Sequence, residues 1–337
     1  MTVTDIAAAL PKAELHVHLE GTLEPEDLMR LAARNGVALP WYTADEVRAA
    51  YSYSGLAEFL QLYYLGCTVL HTRADFHELT AAYLRRAAAQ GVRRAEMFVS
   101  PQPFLGRVPV DDVLGGVLDA VADARTDLGV DGAVLVIAQR HRTQAEALEL
   151  LDVMAPWRES LLGVGLGGAE VGNPPSKFAR FFADARGRGY RLACHAGEEG
   201  PADYVREALD AGVERIDHGY TAAADPALVA RLRDEGVPLT MCPLSNLRLR
   251  VVDTLDGYPV MALHEAGVVA TVNSDDPPYF GGYVADNYAA LGLSTRQLAA
   301  LARNSFTASF APADDVAAGI AAVDAFEASQ PNDAEAP

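Results

Sequence analysis

Four of the eight histidines in the chain occur where short apolar segments end. His16 and His18 are two residues apart, so on a strand both side chains would face the same side. His195 and His218 end two later segments, and the adjacent carboxylates at 275–276 follow another. Imidazole nitrogens and carboxylate oxygens bind metal ions and transfer protons near neutral pH. These residue types therefore predict metal-assisted hydrolysis or acid–base catalysis at a single site.

Three imidazoles and one carboxylate with an open position are typical of a catalytic zinc site, although iron or manganese suits the same donors. A structural zinc site would need four closed ligands, commonly cysteines. The three cysteines are widely spaced, at 67, 194 and 242, and form no Cys-x-x-Cys pair. Because Asp275 and Asp276 are adjacent, one can bind the metal while the other faces a bound molecule.

Eight short apolar segments alternate with stretches of helical periodicity. They are Ala13–Leu19, Arg94–Val99, Gly132–Ala138, Leu161–Gly167, Arg191–Ala196, Arg215–His218, Pro238–Cys242 and Val268–Val272. Nearly continuous apolar strands that alternate with helices are typical of a buried parallel sheet, and eight such units predict an α/β fold, a (β/α)8 TIM barrel. The active sites of such barrels lie at the C-terminal strand ends. The histidines and aspartates occur at those ends.

One long segment interrupts this alternation. Residues 20–91 separate the first two strands and have the pattern of several helices. They predict a helical cap inserted after strand one, which either stabilises the barrel or covers the site as a lid. No Pro/Ser-rich linker divides the chain, so we expect a single domain over 1–327. The polar, acidic residues 328–337 predict a disordered tail.

The charge of the chain excludes several classes of partner. Its 337 residues include 27 basic and 46 acidic side chains, a net charge of −19. Such a surface repels nucleic acid and anionic lipid, which leaves a small neutral or cationic ligand. No apolar run is long enough to span a bilayer, and Met1–Leu10 lacks a secretory signal. With its odd cysteine count, the chain is expected in the cytoplasm. The sequence does not specify whether it forms a homo-oligomer.

Four motifs together resemble the adenosine/adenine deaminase family of the amidohydrolase superfamily. They are His16–Gly21, His195–Glu198, Asp217–Gly219 and Ser274–Pro277, and they follow in family order within residues 11–310. Longer segments are most similar to the adenine deaminase branch, namely Ala169–Phe178, His195–Gly200, Cys242–Asn246 and Val272–Tyr283. The resemblance implies a metal-dependent hydrolase that removes the amino group of a 6-aminopurine in purine salvage and nucleotide metabolism.

The resemblance also implies a role for each matching residue. One Zn²⁺ per chain would be held by His16, His18, His195 and Asp275. Glu198 would shuttle the proton to purine N1, and His218 would orient and deprotonate the attacking water. Asp276 would hydrogen-bond to N7, and the backbone N–H of Gly168 would face N3. The acid must be protonated when the purine binds, so we expect burial or a neighbouring carboxylate to raise the pKa of Glu198.

The identity of the substrate depends on a segment in which this chain departs from the pattern of the adenine deaminase branch. The adenine deaminase branch usually has Asp-Ser after the strand-four leucine, whereas this chain has Gly167 and Gly168. We expect adenine or an N6-substituted adenine as substrate, giving hypoxanthine and ammonia or an amine. Adenosine and aminodeoxyfutalosine are the alternative substrates. Strand four has no lysine that could be carboxylated to bridge two metals, which favours one metal. The alternative of another class, a non-catalytic purine-binding protein, would be expected to lack Glu198 or a ligand.

Overall fold

Eight parallel strands form a barrel in the computed structural model, which describes residues 2–330. The strands pair in chain order, so each strand lies beside its sequence neighbour. They are β1 Lys12–Glu14, β2 Val92–Val99, β3 Asp131–Gln139, β4 Gly163–Gly167, β5 Arg191–Ala196, β6 Arg215–His218, β7 Leu239–Met241 and β8 Ala270–Val272. The predicted TIM barrel is therefore confirmed.

Sixteen α-helices are distributed among the strands of the described residues, and the crossover helices cover the outside of the barrel. They are α1 Val3–Ala9, α2 Pro25–Asn35, α3 Ala44–Ala50, α4 Leu56–Cys67, α5 Arg73–Ala89, α6 Val110–Asp127, α7 Gln144–Val153, α8 Ala179–Gly187, α9 Ala202–Asp210, α10 Pro226–Glu235, α11 Pro243–Arg248, α12 Val260–Glu265, α13 Pro277–Phe280, α14 Val284–Ala290, α15 Thr295–Thr307 and α16 Ala313–Ser329. Within residues 2–330, none is both long and apolar enough to cross a bilayer.

The ends of α10 show how local sequence sets the helix boundaries. The Asp225 side chain accepts hydrogen bonds from the backbone N–H groups of Ala227 and Leu228 at 3.1 Å each. Pro226 occupies the first turn, where a missing N–H costs nothing, and Gly236 adopts a left-handed conformation that ends the helix. These caps set the length of α10, which connects β6 to β7. Because the two strands pair in parallel, both end at the same rim.

The barrel closes between β8 and the residues that follow β1. The backbone N–H of Leu15 donates to Asn273 Oδ1 at 2.8 Å, and the N–H of Asp275 donates to the His16 carbonyl at 3.0 Å. The N–H of His18 donates back to the Asp275 carbonyl at 3.0 Å. The regular strand β1 is thus shorter than the predicted Ala13–Leu19, because from Leu15 onward the chain bonds to its neighbours through single bridges and a side chain.

Residues 20–91 form a short 3-10 turn and the helices α2, α3, α4 and α5. Helix α5 packs against α6 and β2 on the outside of the barrel, as a crossover helix does. Helix α4 instead contacts the turn Glu20–Thr22 at the C-terminal rim. The segment therefore contains both a crossover helix and cap helices. At the other terminus, α16 extends to Ser329, so the first two residues of the predicted disordered tail are helical, and 331–337 lie outside the described residues.

Candidate active site

All eight residues that the sequence singles out lie at the C-terminal rim of the barrel. His16 and His18 follow β1, Gly168 follows β4, His195 and Glu198 belong to the end of β5 and its loop, His218 ends β6, and Asp275 and Asp276 follow β8. His16, His195, Glu198, His218, Asp275 and Asp276 are almost completely buried. His218 and Asp275 adopt left-handed backbone conformations, at φ 67° and 65°. Strain of this kind concentrates at functional sites.

Three histidines and one aspartate bring their ligand atoms together. His16 Nε2 and His18 Nε2 lie 3.3 and 3.4 Å from Asp275 Oδ1. The Nε2 atoms of His18 and His195 are 3.1 Å apart. Ligand atoms held tetrahedrally at zinc–nitrogen distances would be about 3.3 Å apart. Within residues 2–330, the buried Nε2 of His16 has no hydrogen-bond partner. The donor set therefore fits a divalent cation.

His218 lies at the edge of this cluster. Its ligand atoms and those of His16, His195 and Asp275 are all within 4.8 Å of one another. However, His218 Nε2 also faces Glu198 Oε2, at 3.6 Å. Both ring nitrogens of His218 are buried without a hydrogen-bond partner among the described residues. The ring is therefore placed to accept a proton from a molecule between the metal ligands and Glu198.

Two residues behind the cluster hold the imidazole rings in place. Asp217 Oδ2 lies 3.3 Å from His195 Nδ1. The Thr240 hydroxyl donates to Asp217 Oδ1 at 3.0 Å and lies 3.1 Å from His16 Nδ1. Partners on the second ring nitrogen fix the orientation and tautomer of a ligating histidine. The sequence alone indicates no role for Asp217 or Thr240, although both occur near strand ends, the same signal that indicates the candidate ligands.

Burial and charge give the neighbouring carboxyl groups opposite proton affinities. Burial raises the pKa of Glu198 well above its usual range, and the charges of Asp275 and Glu170 raise it further. Burial and the charge of Asp275 also raise the pKa of Asp276 well above normal. Burial acts in the same direction on Asp275, but the neighbouring histidines together outweigh it and lower the pKa of Asp275 well below normal. Asp275 thus remains ionised while Glu198 and Asp276 retain protons.

Burial favours the neutral forms of two of the imidazoles, those of His195 and His218. Burial lowers the pKa of His195 to about 4, with Asp217 acting in the opposite direction. Burial lowers the pKa of His218 well below its usual range. Neutral imidazole is the form that binds metals and accepts protons. Both histidines are therefore in the protonation state that the proposed chemistry requires.

A missing side chain makes room for Asp276. A Cβ atom at Gly21 would lie 1.6 Å from Asp276 Oδ1, so only glycine fits at this position. This Oδ1 atom is buried and has no hydrogen-bond partner among the described residues. An unpartnered buried oxygen is costly unless a bound molecule pairs with it. Asp276 is therefore available to a polar ligand.

The site opens into a cavity between the barrel and the cap. Its lining joins site residues to apolar cap residues: His18, Leu56, Phe59, Leu60, Tyr63, Tyr64, Ser100, Ile137, Gln139, Gly167, Gly168, His195, Glu198, His218, Asp275 and Asp276. Phe98 supports it from below, with its ring centroid 5.2–5.5 Å from those of His16, His18 and His195. An apolar wall with a few polar groups at one end suits a flat aromatic ligand with ring nitrogens.

Glu20 links the cap to the barrel and was not assigned a role from the sequence. It accepts hydrogen bonds from the Ser100 backbone N–H at 2.8 Å and from the Tyr63 hydroxyl at 3.2 Å. Burial raises the pKa of Glu20 to about 7. Because Tyr63 belongs to α4, this carboxyl group holds the cap helix over the cavity.

Comparison with known proteins is consistent with this site. Residues 11–326 match the profile of a protein family described as “Adenosine deaminase”. An adenine deaminase of Streptomyces coelicolor is 52% identical over 317 residues, which cover 92% of this chain and 93% of that protein. An adenine deaminase of Rhodopseudomonas palustris is 49% identical over 312 residues and 91% of both chains.

Two solved structures extend the comparison to three dimensions. The crystal structure of an adenine deaminase from Arthrobacter aurescens has a TM-score of 0.93 and 46% identity, and the match covers 95% of this chain and 100% of that one. An amidohydrolase from Burkholderia ambifaria, with bound Zn, has a TM-score of 0.84 and 27% identity, over 96% of this chain and 92% of that one.

Proposed function

The chain belongs to the adenosine deaminase family, and we propose that it is a hydrolytic deaminase that converts adenine to hypoxanthine and ammonia. The observation that carries this proposal is the similarity to adenine deaminases, which extends over nine-tenths of the chain at about half identity. The fully formed acid–base and ligand cluster supports catalysis rather than binding alone, since a non-catalytic purine-binding protein would not require it.

The family is metal-dependent, and the site residues fit one Zn²⁺. His16, His18, His195 and Asp275 would hold the ion. The Nε2 atoms of His16 and His18 lie 3.3 and 3.4 Å from Asp275 Oδ1, and His18 Nε2 lies 3.1 Å from His195 Nε2. Three imidazoles and a carboxylate are a common zinc donor set, and the related amidohydrolase contains zinc. When bound, Zn²⁺ acts as a Lewis acid that makes water acidic enough to supply hydroxide near neutral pH.

Two residues of the chain would move the protons. Water adds to C6 of the purine, so the ring must accept an electron pair, which protonation at N1 makes possible. Glu198 carries the proton for N1 because its pKa is raised. His218 is neutral, and within residues 2–330 neither of its ring nitrogens has a hydrogen-bond partner, so it accepts the proton of the attacking water. The proton held by His218 then passes to N6, the C6–N6 bond breaks and ammonia leaves. The C6 hydroxyl proton returns to Glu198 as the 6-oxo group forms, and the product keeps the proton on N1.

Asp276 and Gly168 would orient the base. N7 of adenine is an acceptor, and a protonated Asp276 is a donor, so the raised pKa of Asp276 suits this contact. Gly168 lines the cavity with φ +94°, a conformation that favours glycine. We assign its backbone N–H to N3. With Glu198 at N1, these contacts would present C6 to the metal side of the cavity.

Nucleosides are the second candidate substrates, for a specific reason. Gly167 and Gly168 carry no side chains at the edge assigned to N3, from which a sugar at N9 would project. A Cβ atom at Gly168 would lie 3.5 Å from His141 Nδ1 and 3.7 Å from the Tyr64 hydroxyl, so these two groups border that space. Adenosine or aminodeoxyfutalosine would have to fit beside them.

A substrate panel tests the proposal. We expect kcat/KM for adenine, or for N6-methyladenine, to exceed that for adenosine and aminodeoxyfutalosine by at least about 100-fold, because a site shaped to exclude ribose discriminates more strongly than one mismatched methylene. Elemental analysis of the same preparation should give one zinc per chain. A nucleoside in first place would overturn the free-base assignment, and two metals per chain would contradict the mononuclear site.

A further inference from the structure

Glu170 is a fully buried carboxylate outside the groups assigned above. It lies three residues after β4 and accepts hydrogen bonds from four consecutive backbone N–H groups in the loop after β5. Oε1 accepts from Gly197 at 2.7 Å, and Oε2 accepts from Glu198, Glu199 and Gly200 at 3.1, 2.9 and 2.7 Å. A carboxylate is purely an acceptor, so its two oxygens can satisfy all four donors.

The loop is shaped around this carboxylate. Gly197 adopts φ +72°, a left-handed conformation, and a Cβ atom at Gly200 would lie 2.7 Å from the carboxyl carbon of Glu170. Successive N–H groups that converge on one anion form a concave nest, and hydrogen bonds to a charged acceptor are about twice as strong as neutral ones. The backbone conformation of residues 197–200 is therefore matched to the Glu170 side chain.

Arg140, the residue after β3, anchors the same arrangement. Its guanidinium is fully buried, donates to the His195 carbonyl at 2.6 Å and lies 3.9 Å from Glu170 Oε1. It also donates to the Asn173 carbonyl at 2.9 Å, in the segment that carries Glu170. The end of β5 and the loop after β4 are thereby tied together on both sides of Glu198.

We infer that Glu170 is a positioning residue for Glu198. By fixing the backbone of residues 197–200, Glu170 directs the carboxyl group of Glu198 toward His218 and the substrate. The inference rests on the proposed function, in which Glu198 is the proton donor. Glu170 is not among the residues that line the cavity, and its oxygens face the loop amides. It therefore acts through Glu198 rather than on the purine.

A double-mutant cycle in the zinc-loaded full chain tests this role. Glu170→Gln places an amide N–H₂ against backbone donors, so kcat for adenine should fall at least about tenfold, while KM stays within about threefold and the zinc content is unchanged. In the Glu198→Gln background the same change should lower kcat by less than about twofold, because no donor is left to misplace. A generally structural role would lower kcat equally in both backgrounds.

Three further measurements complete the test. Glu207→Gln is the matched control: Glu207 accepts one backbone N–H, from Ser176, and its loss should leave kcat within about twofold. Glu170→Asp keeps the charge but is one methylene shorter, so its kcat should lie between wild type and Glu170→Gln. It also provides a folded variant if Glu170→Gln is unstable. Hydrogen exchange should accelerate in peptides covering 197–200 in both Glu170 variants.

The outcomes separate this inference from the proposed function. A wild type that deaminates no aminopurine would contradict the function. An active wild type beside a Glu170→Gln variant that retains more than half of kcat would contradict only the role of Glu170. Multiplicative losses in the double mutant would also overturn it, as would unchanged hydrogen exchange at 197–200.

Discussion

Three carboxyl groups within one pocket are given different tasks by their surroundings. Asp275 faces two imidazoles and stays ionised, which suits a metal ligand. Glu198 and Asp276 are buried near that charge, and their pKa values are raised, which suits proton donors. The same principle of unequal environments separates acid from base in other hydrolases. The chain has a net charge of −19, and among its many acidic side chains the buried ones in this pocket are those whose pKa values indicate a chemical role.

Replacing the proton donor should separate catalysis from metal binding. Glu198→Gln removes the acidic proton but leaves the proposed ligands intact, so the variant should fold and retain zinc. We expect kcat to fall roughly 10²–10⁴-fold, the range for loss of a general acid. Steady-state kinetics and metal analysis check this. A variant with more than about a tenth of wild-type kcat would mean that another group protonates N1.

The pH profile should report the same carboxyl group. The protonated form of Glu198 is the active one, so kcat/KM should fall as the pH rises through its raised pKa. Glu199 contributes to that shift, so Glu199→Gln should move the alkaline midpoint to lower pH, by less than about one unit. Glu207→Gln, which removes a charge elsewhere, should not move it. An unchanged midpoint in Glu199→Gln would assign the alkaline limb to a different group.

Two histidine variants distinguish a ligand from a base. His18 Nε2 contacts both His195 Nε2 and Asp275 Oδ1, whereas His218 Nε2 faces Glu198. His18→Ala should therefore lose zinc and activity together. His218→Ala should keep about one zinc per chain and lose kcat by roughly 10²–10⁴-fold. Metal analysis of both purified variants decides the assignment. If His218→Ala lost zinc and His18→Ala kept it, His218 would be the metal ligand and His18 the base.

Among the secondary-structure elements, the strands carry the site residues at their ends, and helix α4 covers the cavity. Every assigned residue lies on a β-strand end or the loop after it, where the rigid barrel limits its movement. Helix α4 contributes Leu56, Phe59 and Leu60 to the cavity wall and is tied to the rim through Tyr63 and Glu20. The helix therefore supplies an apolar wall to the cavity, and none of the residues assigned to catalysis.

Truncating the cap wall should weaken binding without slowing catalysis. Leu60 lines the cavity and is half-buried, so Leu60→Ala should raise KM for adenine by about three- to tenfold, the loss of part of one leucine contact. Its kcat should stay within about twofold. Leu62 lies on the same helix outside the cavity lining, so Leu62→Ala should leave KM unchanged. Equal effects of the two changes would contradict direct contact by Leu60.

At the scale of the whole molecule, the cap and the barrel share one core. Buried apolar residues of α2 and α4, such as Leu28 and Phe59, belong to the same contiguous cluster as Val92 and Leu192 of the strands. A shared core couples the unfolding of its parts. We therefore propose, in keeping with the absence of a Pro/Ser-rich linker from the sequence, that residues 1–327 form a single domain.

Calorimetry tests that coupling. The zinc-loaded protein should unfold in one transition, with a calorimetric enthalpy close to the van't Hoff enthalpy. Removing the metal with a chelator should lower Tm, since the ion stabilises the folded state by binding it selectively. The chelated protein should still unfold in one transition, because the barrel core does not depend on the ion. Two separate transitions would show that the cap unfolds independently.

The barrel fold and the location of the reactive side chains at one rim can be inferred from the amino-acid sequence alone. Strand and helix periodicity are local properties, and in a parallel barrel they also specify which end of each strand carries the site. His16, His195, His218 and Asp275 could thus be assigned to one rim before their distances were known. The resemblance to the deaminase family added roles that periodicity cannot supply.

Which side chains contact one another, in contrast, depends on the tertiary structure. The four hydrogen bonds to Glu170 join residues 27 to 30 positions apart, and the fit of Asp276 over Gly21 joins the two edges that close the barrel. Such contacts depend on strand register and loop conformation, which no local pattern encodes. For the same reason, the early end of regular β1 was not predicted: residues 15–18 form single hydrogen bonds with the loop after β8 and with Phe98 of β2, which are distant in sequence.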